Sequence, residues 1–171
     1  MYFLLLMSLL SCDSAQSTYT LEITEQELLE KIQHKMPIQK KKFFVTVTLS
    51  DPKVALLLGK DRIDVESNID ALLPGGVTAK GRGNIEGRVE YLPQSGEFYF
   101  VDPQVISLAV DNVAAKHQET IRKVADFAAK SALKRLPVYR FKDNNLKQKL
   151  AKAVLKSVHV ENGRLLLELG L

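Results

Sequence analysis

The stretch Val77–Tyr91, VTAKGRGNIEGRVEY, decides how this chain folds. Small or apolar side chains alternate with polar ones along it, which is the period of a β-strand with one dry and one wet face. At about 3.3 Å per residue the strand is about 50 Å long, longer than a usual strand. Gly81, Gly83 and Gly87 lie on the dry face and permit a bend. The stretch therefore predicts a long, curved strand in a sheet that wraps around an interior.

The neighbouring segments continue this pattern. Residues 43–58 and 61–73 alternate in the same way, and residues 97–111 read as one or two further strands, broken near Asp102-Pro103. Turn sequences separate these segments, and no helical pattern lies between them. Short connections of this kind predict an antiparallel meander.

Helical patterns flank the meander. A capping box formed by Thr24 and Glu27 begins a short helix, and a long helix of about 37 Å is predicted over Asn112–Leu136, capped by Asp111. A further helix over residues 144–158 and a closing hairpin follow. The predicted fold class is α+β, with a long curved antiparallel sheet wrapped on one long helix, a short N-terminal helix, and a C-terminal helix plus hairpin.

The N-terminal segment reads as an export signal. Phe3–Leu10 is too short to span a bilayer and has the length of a signal-peptide core, although no Lys or Arg precedes it, so its basic start is incomplete. The residues that follow, LLSC, resemble a bacterial lipobox, which implies cleavage after Ser11 and lipidation of Cys12. The alternative is a buried cysteine in a short N-terminal helix.

The length of 171 residues fits one domain. We expect a signal peptide over residues 1–11, a small and polar tether over residues 12–20, and a single domain over residues 21–171, which the family resemblance given below implies to be of the lipid-binding type.

Composition argues against several classes of function. Twenty-four basic residues against twenty acidic ones leave a net charge of +4, which is too weak to indicate nucleic acid. One cysteine cannot form an internal disulfide, and no Cys/His spacing indicates a metal site. His34, His117 and His159 lie in different predicted elements without a nucleophile motif. We therefore expect no catalytic residue, no enzyme activity, no cofactor and no metal.

The dry faces of the strands and of the long helix enclose an elongated apolar interior. Small residues that face each other there either draw the elements together or leave a cavity, so a packed core and a groove for a lipid-like chain are equally consistent with the residues. The candidate lining residues of such a groove are Val45, Val47, Ile63, Val65, Ile69, Val77, Ile85, Val89, Ile121, Val124 and Ala128.

Two polar features have a functional and a simpler interpretation. Lys40–Lys42 lie beside two phenylalanines. In the functional interpretation they contact anionic lipid head groups. In the simpler interpretation, which we favour, they are solvent-exposed residues at the start of a strand.

Asp64, Glu66 and Asp70 share one strand face and could suggest acid–base chemistry or Ca²⁺. They are better explained as the wet face of an alternating strand, without a calcium-loop signature.

The order of these features resembles a known family. A lipobox, a tether, YTLEITEQEL over Tyr19–Leu28, the strands, the long helix and the closing segment Leu150–Leu167 together resemble the YceB-like bacterial lipoprotein family, a domain of largely unknown function. The resemblance extends from about Tyr19 to the end of the chain. That family is similar in fold to the tubular lipid-binding (TULIP) superfamily, in which a long helix lies in a curved sheet and the apolar interior can hold lipid.

The resemblance implies a lipoprotein of the Gram-negative envelope that faces the periplasm. It implies attachment to a membrane through acyl chains on Cys12 and a lipid-like or fatty-acid-like ligand between sheet and helix. From the weak net charge we expect no nucleic acid partner. Asp13 resembles the enteric signal for retention in the inner membrane, whereas many relatives are expected at the outer membrane. The alternative function is that of a structural or interaction lipoprotein with a packed core and unknown protein partners.

We expect Cys12→Ala to release the chain from membranes or to leave its signal uncleaved, because the thiol sulfur is the atom that takes the diacylglycerol group. Each buried CH₂ of an acyl chain contributes about 0.8 kcal/mol to membrane binding, so the loss of several chains is decisive. Membrane fractionation and the mass of the mature N-terminus measure the two effects. Unchanged association and processing would contradict the lipobox interpretation.

Overall fold

The computed structural model describes residues 18–57, 62–141, 149, 152 and 154–170. Cys12 and the predicted signal peptide lie outside these residues. The described elements are β1 (Thr18–Thr24), α1 (Glu25–Gln33), β2 (Ile38–Lys42), β3 (Val45–Leu56), β4 (Ile63–Leu72), a 3₁₀ turn (Pro74–Gly76), β5 (Thr78–Leu92), β6 (Glu97–Val110), α2 (Ala115–Leu133), β7 (Leu136–Arg140), β8 (Leu155–Glu161) and β9 (Arg164–Gly170).

The strands form two antiparallel sheets. The larger, curled sheet has six strands in chain order, from β2 to β7, and the smaller has three strands in the order β1-β9-β8. Strand β5, one of the two central strands of the larger sheet, confirms the long alternating strand, because its buried and exposed residues alternate along most of its length. The closing hairpin is also confirmed, with Asn162 and Gly163 at positive φ in its turn.

Bulges at two Asp-Pro pairs bend the larger sheet. Asp51 in β3 and Asp102 in β6 both have a left-handed backbone, and the strand register shifts at each of them. The Asp51 carboxylate accepts a hydrogen bond from Asn68 at 3.0 Å, and Asp102 pairs with Arg88. Bulges of this kind kink a strand and increase its twist. The predicted break near Asp102-Pro103 is therefore a bulge inside one continuous strand.

The glycines of β5 allow the backbones of neighbouring elements to come unusually close. A Cβ at Gly81 would overlap the carbonyl oxygen of Ala109 and would lie 2.8 Å from the Cα of Val110. A Cβ at Gly87 would overlap the ring of Phe100. These glycines are therefore required by the close contact between β5 and β6, in addition to any effect on strand flexibility.

Two helices cover the open side of the curled sheet. Helix α1 contacts β3 and β7, while α2 contacts β2, β3 and β6, so each helix bridges strands from opposite parts of the sheet. The predicted capping box of α1 is confirmed, with the Glu27 amide donating to the Thr24 hydroxyl at 3.3 Å and the Thr24 amide donating to the Glu27 carboxylate at 2.9 Å. The Leu56 amide at the end of β3 donates to Glu25 of α1 at 2.7 Å.

The predicted fold class is wrong, because the protein is mostly β and no single long helix is wrapped by the sheet. The expected helix over Asn112–Leu136 is shorter at both ends. Asn112 and Arg135 have left-handed backbones, and the Arg135 amide donates to Phe100, so that the following residues pair with β6 as β7. Asp111 does not cap α2, whose N-cap position is Ala114 and has no side-chain hydrogen bond.

Two further boundaries differ from the prediction. Strand β1 begins at Thr18, inside the segment predicted as a tether, because it pairs with β9 over its whole length. The predicted helix over residues 144–158 falls mainly outside the described residues. Its last part is wrong, since Leu155 already belongs to strand β8.

We predict that Gly81→Ala destabilises the domain by about 1–3 kcal/mol, the usual cost of overpacking, since its Cβ would overlap backbone atoms. Gly83→Ala is the milder comparison, because its Cβ would meet the flexible end of Ile69, at 2.7 Å from Cδ1. That Cβ would lie 3.1 Å from the carbonyl oxygen of Ser107 in β6, whereas the one at Gly81 would overlap the carbonyl oxygen of Ala109. Urea unfolding of both variants measures the difference. A Gly81→Ala variant as stable as the natural chain would show that the close approach of β5 and β6 does not limit the fold.

Candidate functional site

The apolar interior between the larger sheet and α2 is the strongest candidate site. Both sheets and both helices contribute to one continuous cluster of buried apolar side chains. Ser67 is the buried polar residue found among the described residues. Its hydroxyl donates to the carbonyl oxygen of Ser50 at 2.8 Å, which satisfies it at the β3 bulge. The described interior thus offers a ligand apolar contacts rather than polar ones.

Most of the predicted lining residues point into this interior. The buried ones are Val45, Val47, Ile63, Val65, Ile69, Ile85, Ile121, Val124 and Ala128. Val89 is only partly buried and packs at the margin of the cluster. Val77 does not face the interior, because it lies between the 3₁₀ turn and β5 and is 55% exposed. Whether any of these residues contacts a ligand stays a prediction.

Side chains fill the space that the glycines of β5 leave on the inner face. The Cδ1 atom of Ile69 occupies the position next to Gly83, and the ring of Phe100 lies against Gly87. The sequence left open whether these small residues draw the elements together or leave a cavity. At these positions they draw the elements together. A ligand at these positions would have to displace Ile69 or Phe100.

Helix α2 is attached differently along its two sides. Toward β6 it forms two hydrogen bonds with one residue: the Arg122 guanidinium donates to the carbonyl oxygen of Val105 at 3.2 Å, and the Val105 amide donates to Asp126 at 3.4 Å. Toward the described residues of β2 and β3, α2 forms no hydrogen bond. Apolar packing makes this contact, together with Lys42, whose Nζ lies 4.7 Å from the Phe127 ring centroid. We call this second contact, between α2 and β2–β3, the α2 seam.

An aromatic cluster that the sequence analysis did not identify packs one end of the interior. The Phe98 ring centroid lies 4.7 Å from that of Tyr91, 5.3 Å from that of Phe141 and 5.8 Å from that of Tyr139. The alternation in EFYF was the available signal, but only the pairing of β7 with β6 brings Tyr139 to this place. The edge-on geometry favours a rigid end of the core.

The carboxylates on β4 do not form a metal site. Asp70 lies 4.0 Å from the ammonium of Lys80, and Glu66 lies 3.1 Å from that of Lys53, while Asp64 accepts a hydrogen bond from Asn84 at 2.7 Å. Across the described residues, no three His, Cys, Asp or Glu side chains are grouped as metal ligands would be.

Asp64 is the unusual member of this row. Burial raises the pKa of its carboxyl above the ordinary value, the hydrogen bond from Asn84 opposes this, and the nearby charges of Glu86 and Glu66 raise the pKa further. Its Oδ1 atom is inaccessible and has no hydrogen-bond partner. Ionisation of Asp64 is therefore less favourable in the folded state than in the unfolded chain.

Comparison with known families identifies the chain. Residues 23–164 match a family described as "Protein of unknown function (DUF1439)". The chain belongs to the DUF1439 family. This finding confirms the resemblance to the YceB-like family, while the similarity to the tubular lipid-binding superfamily stays a prediction. No curated protein matches the chain. Of the helices that the structure describes, none is long and apolar enough to cross a membrane.

We predict that Asp64→Asn changes how the stability of this DUF1439 domain depends on pH. A carboxyl whose pKa is raised by folding binds its proton more tightly in the folded state, so stability falls as pH rises from the ordinary Asp value through the raised value. Asp64→Asn should remove that fall. Urea unfolding at intervals from pH 4 to pH 7 measures it.

Asp70→Asn is the matched control, because Asp70 lies on the same strand face and is exposed. An unchanged pH dependence in Asp64→Asn, or an equal change in both variants, would contradict the assignment to Asp64.

Proposed function

We propose that this protein is a lipid-anchored envelope protein whose domain binds an acyl chain in the apolar interior between the larger sheet and α2. The anchor is Cys12, the domain faces the periplasm, and no chemical reaction is assigned to it. Binding of a hydrophobic chain would serve the handling of envelope lipids. The membrane, through the acyl chains on Cys12, is the first partner of the protein.

The observation that carries the proposal is the apolar character of the interior. Burying an unpaired polar group in such a place is costly, so a ligand with polar groups along its length would bind poorly, whereas an acyl chain loses nothing there. An acyl chain gains about 25 cal/mol for each Å² of apolar surface removed from water. The curled sheet of this DUF1439 domain is compatible with a fold of the lipid-binding type.

The α2 seam is the proposed route of entry. Hydrogen bonds of Arg122 and Asp126 hold the other side of α2 to Val105 of β6. Separating α2 from β2 and β3 would break apolar contacts, and an acyl chain can replace these with contacts of its own. Helix α2 lies close to the sheet because its buried side chains there are small: Ala125, Ala128 and Ala129. A modest shift of the helix would therefore open space for an acyl chain.

A second candidate function is supported by the filled space beside the glycines. Because Ile69 and Phe100 occupy it, the domain could act with a packed core, as a structural or interaction lipoprotein that docks envelope proteins through its outer surface. In that case the interior contributes stability only. The two candidates make opposite predictions about labelling of the interior.

Photolabelling of the full chain in cells tests the first candidate. Cells that produce the protein are given a fatty acid with a photoactivatable group in its tail, and labelled peptides are mapped by mass spectrometry. We expect label on α2 and on β2–β3, separate from any label on the N-terminal peptide. Label confined to the N-terminal peptide would overturn acyl-chain binding and favour the packed-core candidate.

Ala128→Val sharpens this test by filling the interior with two methyl groups. We expect it to reduce interior labelling severalfold, because Ala128 is fully buried on α2. Ala132→Val makes the same change one turn further along α2, at a partly buried position, and should reduce labelling less. Unfolding curves of both variants verify that they are folded. Equal labelling of the two would exclude Ala128 from the binding region.

A further inference from the structure

The hairpin turn between β2 and β3 consists of two exposed phenylalanines in an unfavourable backbone conformation. Lys42 pairs with Val45, so Phe43 and Phe44 form a two-residue turn, and both have positive φ, +52° and +61°. Turns of this type strongly favour Asn-Gly, since a side chain with a bulky Cβ group strains a left-handed backbone. Phe43 is 60% and Phe44 82% exposed. The turn geometry itself therefore does not favour phenylalanine at these positions, and the contact found at Phe43 is with Lys42, whose Nζ lies 5.1 Å from the ring centroid.

The strand that leads into this turn is strongly basic. Lys40, Lys41 and Lys42 precede the two phenylalanines, and none of them forms an ion pair with a described residue. Neither residues 38–49 nor residues 71–81, in the neighbouring loop, contain Asp or Glu. The positive charge of this region is therefore not neutralised by its immediate sequence neighbours.

More apolar surface lies at the same end of the sheet. Leu72, the last residue of β4, is opposite Thr46 at the start of β3, so the loop after β4 lies at the end of the sheet where Phe43 and Phe44 are. Leu72 is 47% exposed, and Val77 in this loop is also exposed. We call the exposed residues Lys41–Phe44, Leu72 and Val77, together with the half-buried Lys40, the hairpin tip.

We propose that the hairpin tip docks on an anionic lipid bilayer, with Phe43 and Phe44 inserted at the interface and Lys40–Lys42 against the head groups. Aromatic side chains favour the membrane interface, and each lysine near an anionic surface adds attraction. This inference does not depend on ligand binding in the interior.

Membrane attachment at Cys12 would make even a weak contact effective. Thr18, the first residue of β1, is six positions after Cys12, so an anchored chain would hold Thr18 within about 20 Å of the bilayer. A tethered surface binds at a high effective concentration. The tip would then orient the domain on the membrane rather than supply its attachment.

A single tryptophan tests the proposal, because the chain contains none. The full chain with Phe44→Trp is added to vesicles of phosphatidylcholine with phosphatidylglycerol, whose acyl chains are unlabelled or brominated. We expect the emission to shift to the blue and the brominated chains to quench it. Ile106→Trp places the reporter on an exposed apolar position in the middle of β6 and should show neither effect.

The charge requirement is tested in the Phe44→Trp protein. Lys41→Gln with Lys42→Gln should weaken vesicle binding, measured by titrating the fluorescence change with lipid, roughly fivefold for each charge removed, and high salt should weaken binding as well. Vesicles of phosphatidylcholine alone should give little response. Phe44→Trp emission that stays unshifted and unquenched, or that matches Ile106→Trp, would overturn the proposal. A blue shift that requires added envelope protein and is not quenched by brominated lipid would also overturn it, and would point to a protein partner instead.

A stability measurement separates this role from a structural one. Phe43→Asn with Phe44→Gly supplies the residues that the turn prefers, so we expect this variant to unfold at a higher temperature than the natural chain. A loss of stability would show that the two phenylalanines serve the fold, and would contradict the proposal.

Discussion

The close contact between β5 and β6 is the constraint on which the rest of the structure depends. A side chain at Gly81 would overlap the backbone of β6, and one at Gly87 would overlap Phe100. Strand β5 is an inner strand of the six-stranded sheet, paired with β4 on one side and with β6 on the other. Bulges at Asp51 and Asp102, in β3 and β6, bend the sheet. The sheet consequently curls and leaves one side open.

The open side determines what the helices do. Helix α1 and helix α2 each bridge strands from distant parts of the curled sheet, and together with the small sheet they bury one continuous apolar core. Polar contacts hold α2 to β6, whereas apolar contacts hold it to β2 and β3. This asymmetry is the physical basis of the proposed entry route. The Phe127 side chain, packed beneath Lys42, places that route near the hairpin tip.

Local sequence rules succeeded where one period extended over many residues. The alternation in β5 predicted both its length and its buried face, and the capping box of α1 predicted the start of that helix. The rules failed at element boundaries. Helical periodicity continued past Leu133, but strand pairing with β6 was available to Leu136–Arg140 and ended the helix earlier. Val77 followed the alternation of β5, yet it precedes the first paired residue of that strand and is exposed.

By itself, the sequence determined the period of the strands, the turns between them, the family and the apolar character of the inner face, because each of these depends on neighbouring residues or on pattern alone. Only the tertiary structure decided that the protein is mostly β, that Ile69 and Phe100 fill the space beside the glycines, and that Phe43 and Phe44 are exposed. These outcomes depend on contacts between residues that are distant in the chain. No local pattern specifies which side chain will occupy a space that another strand leaves.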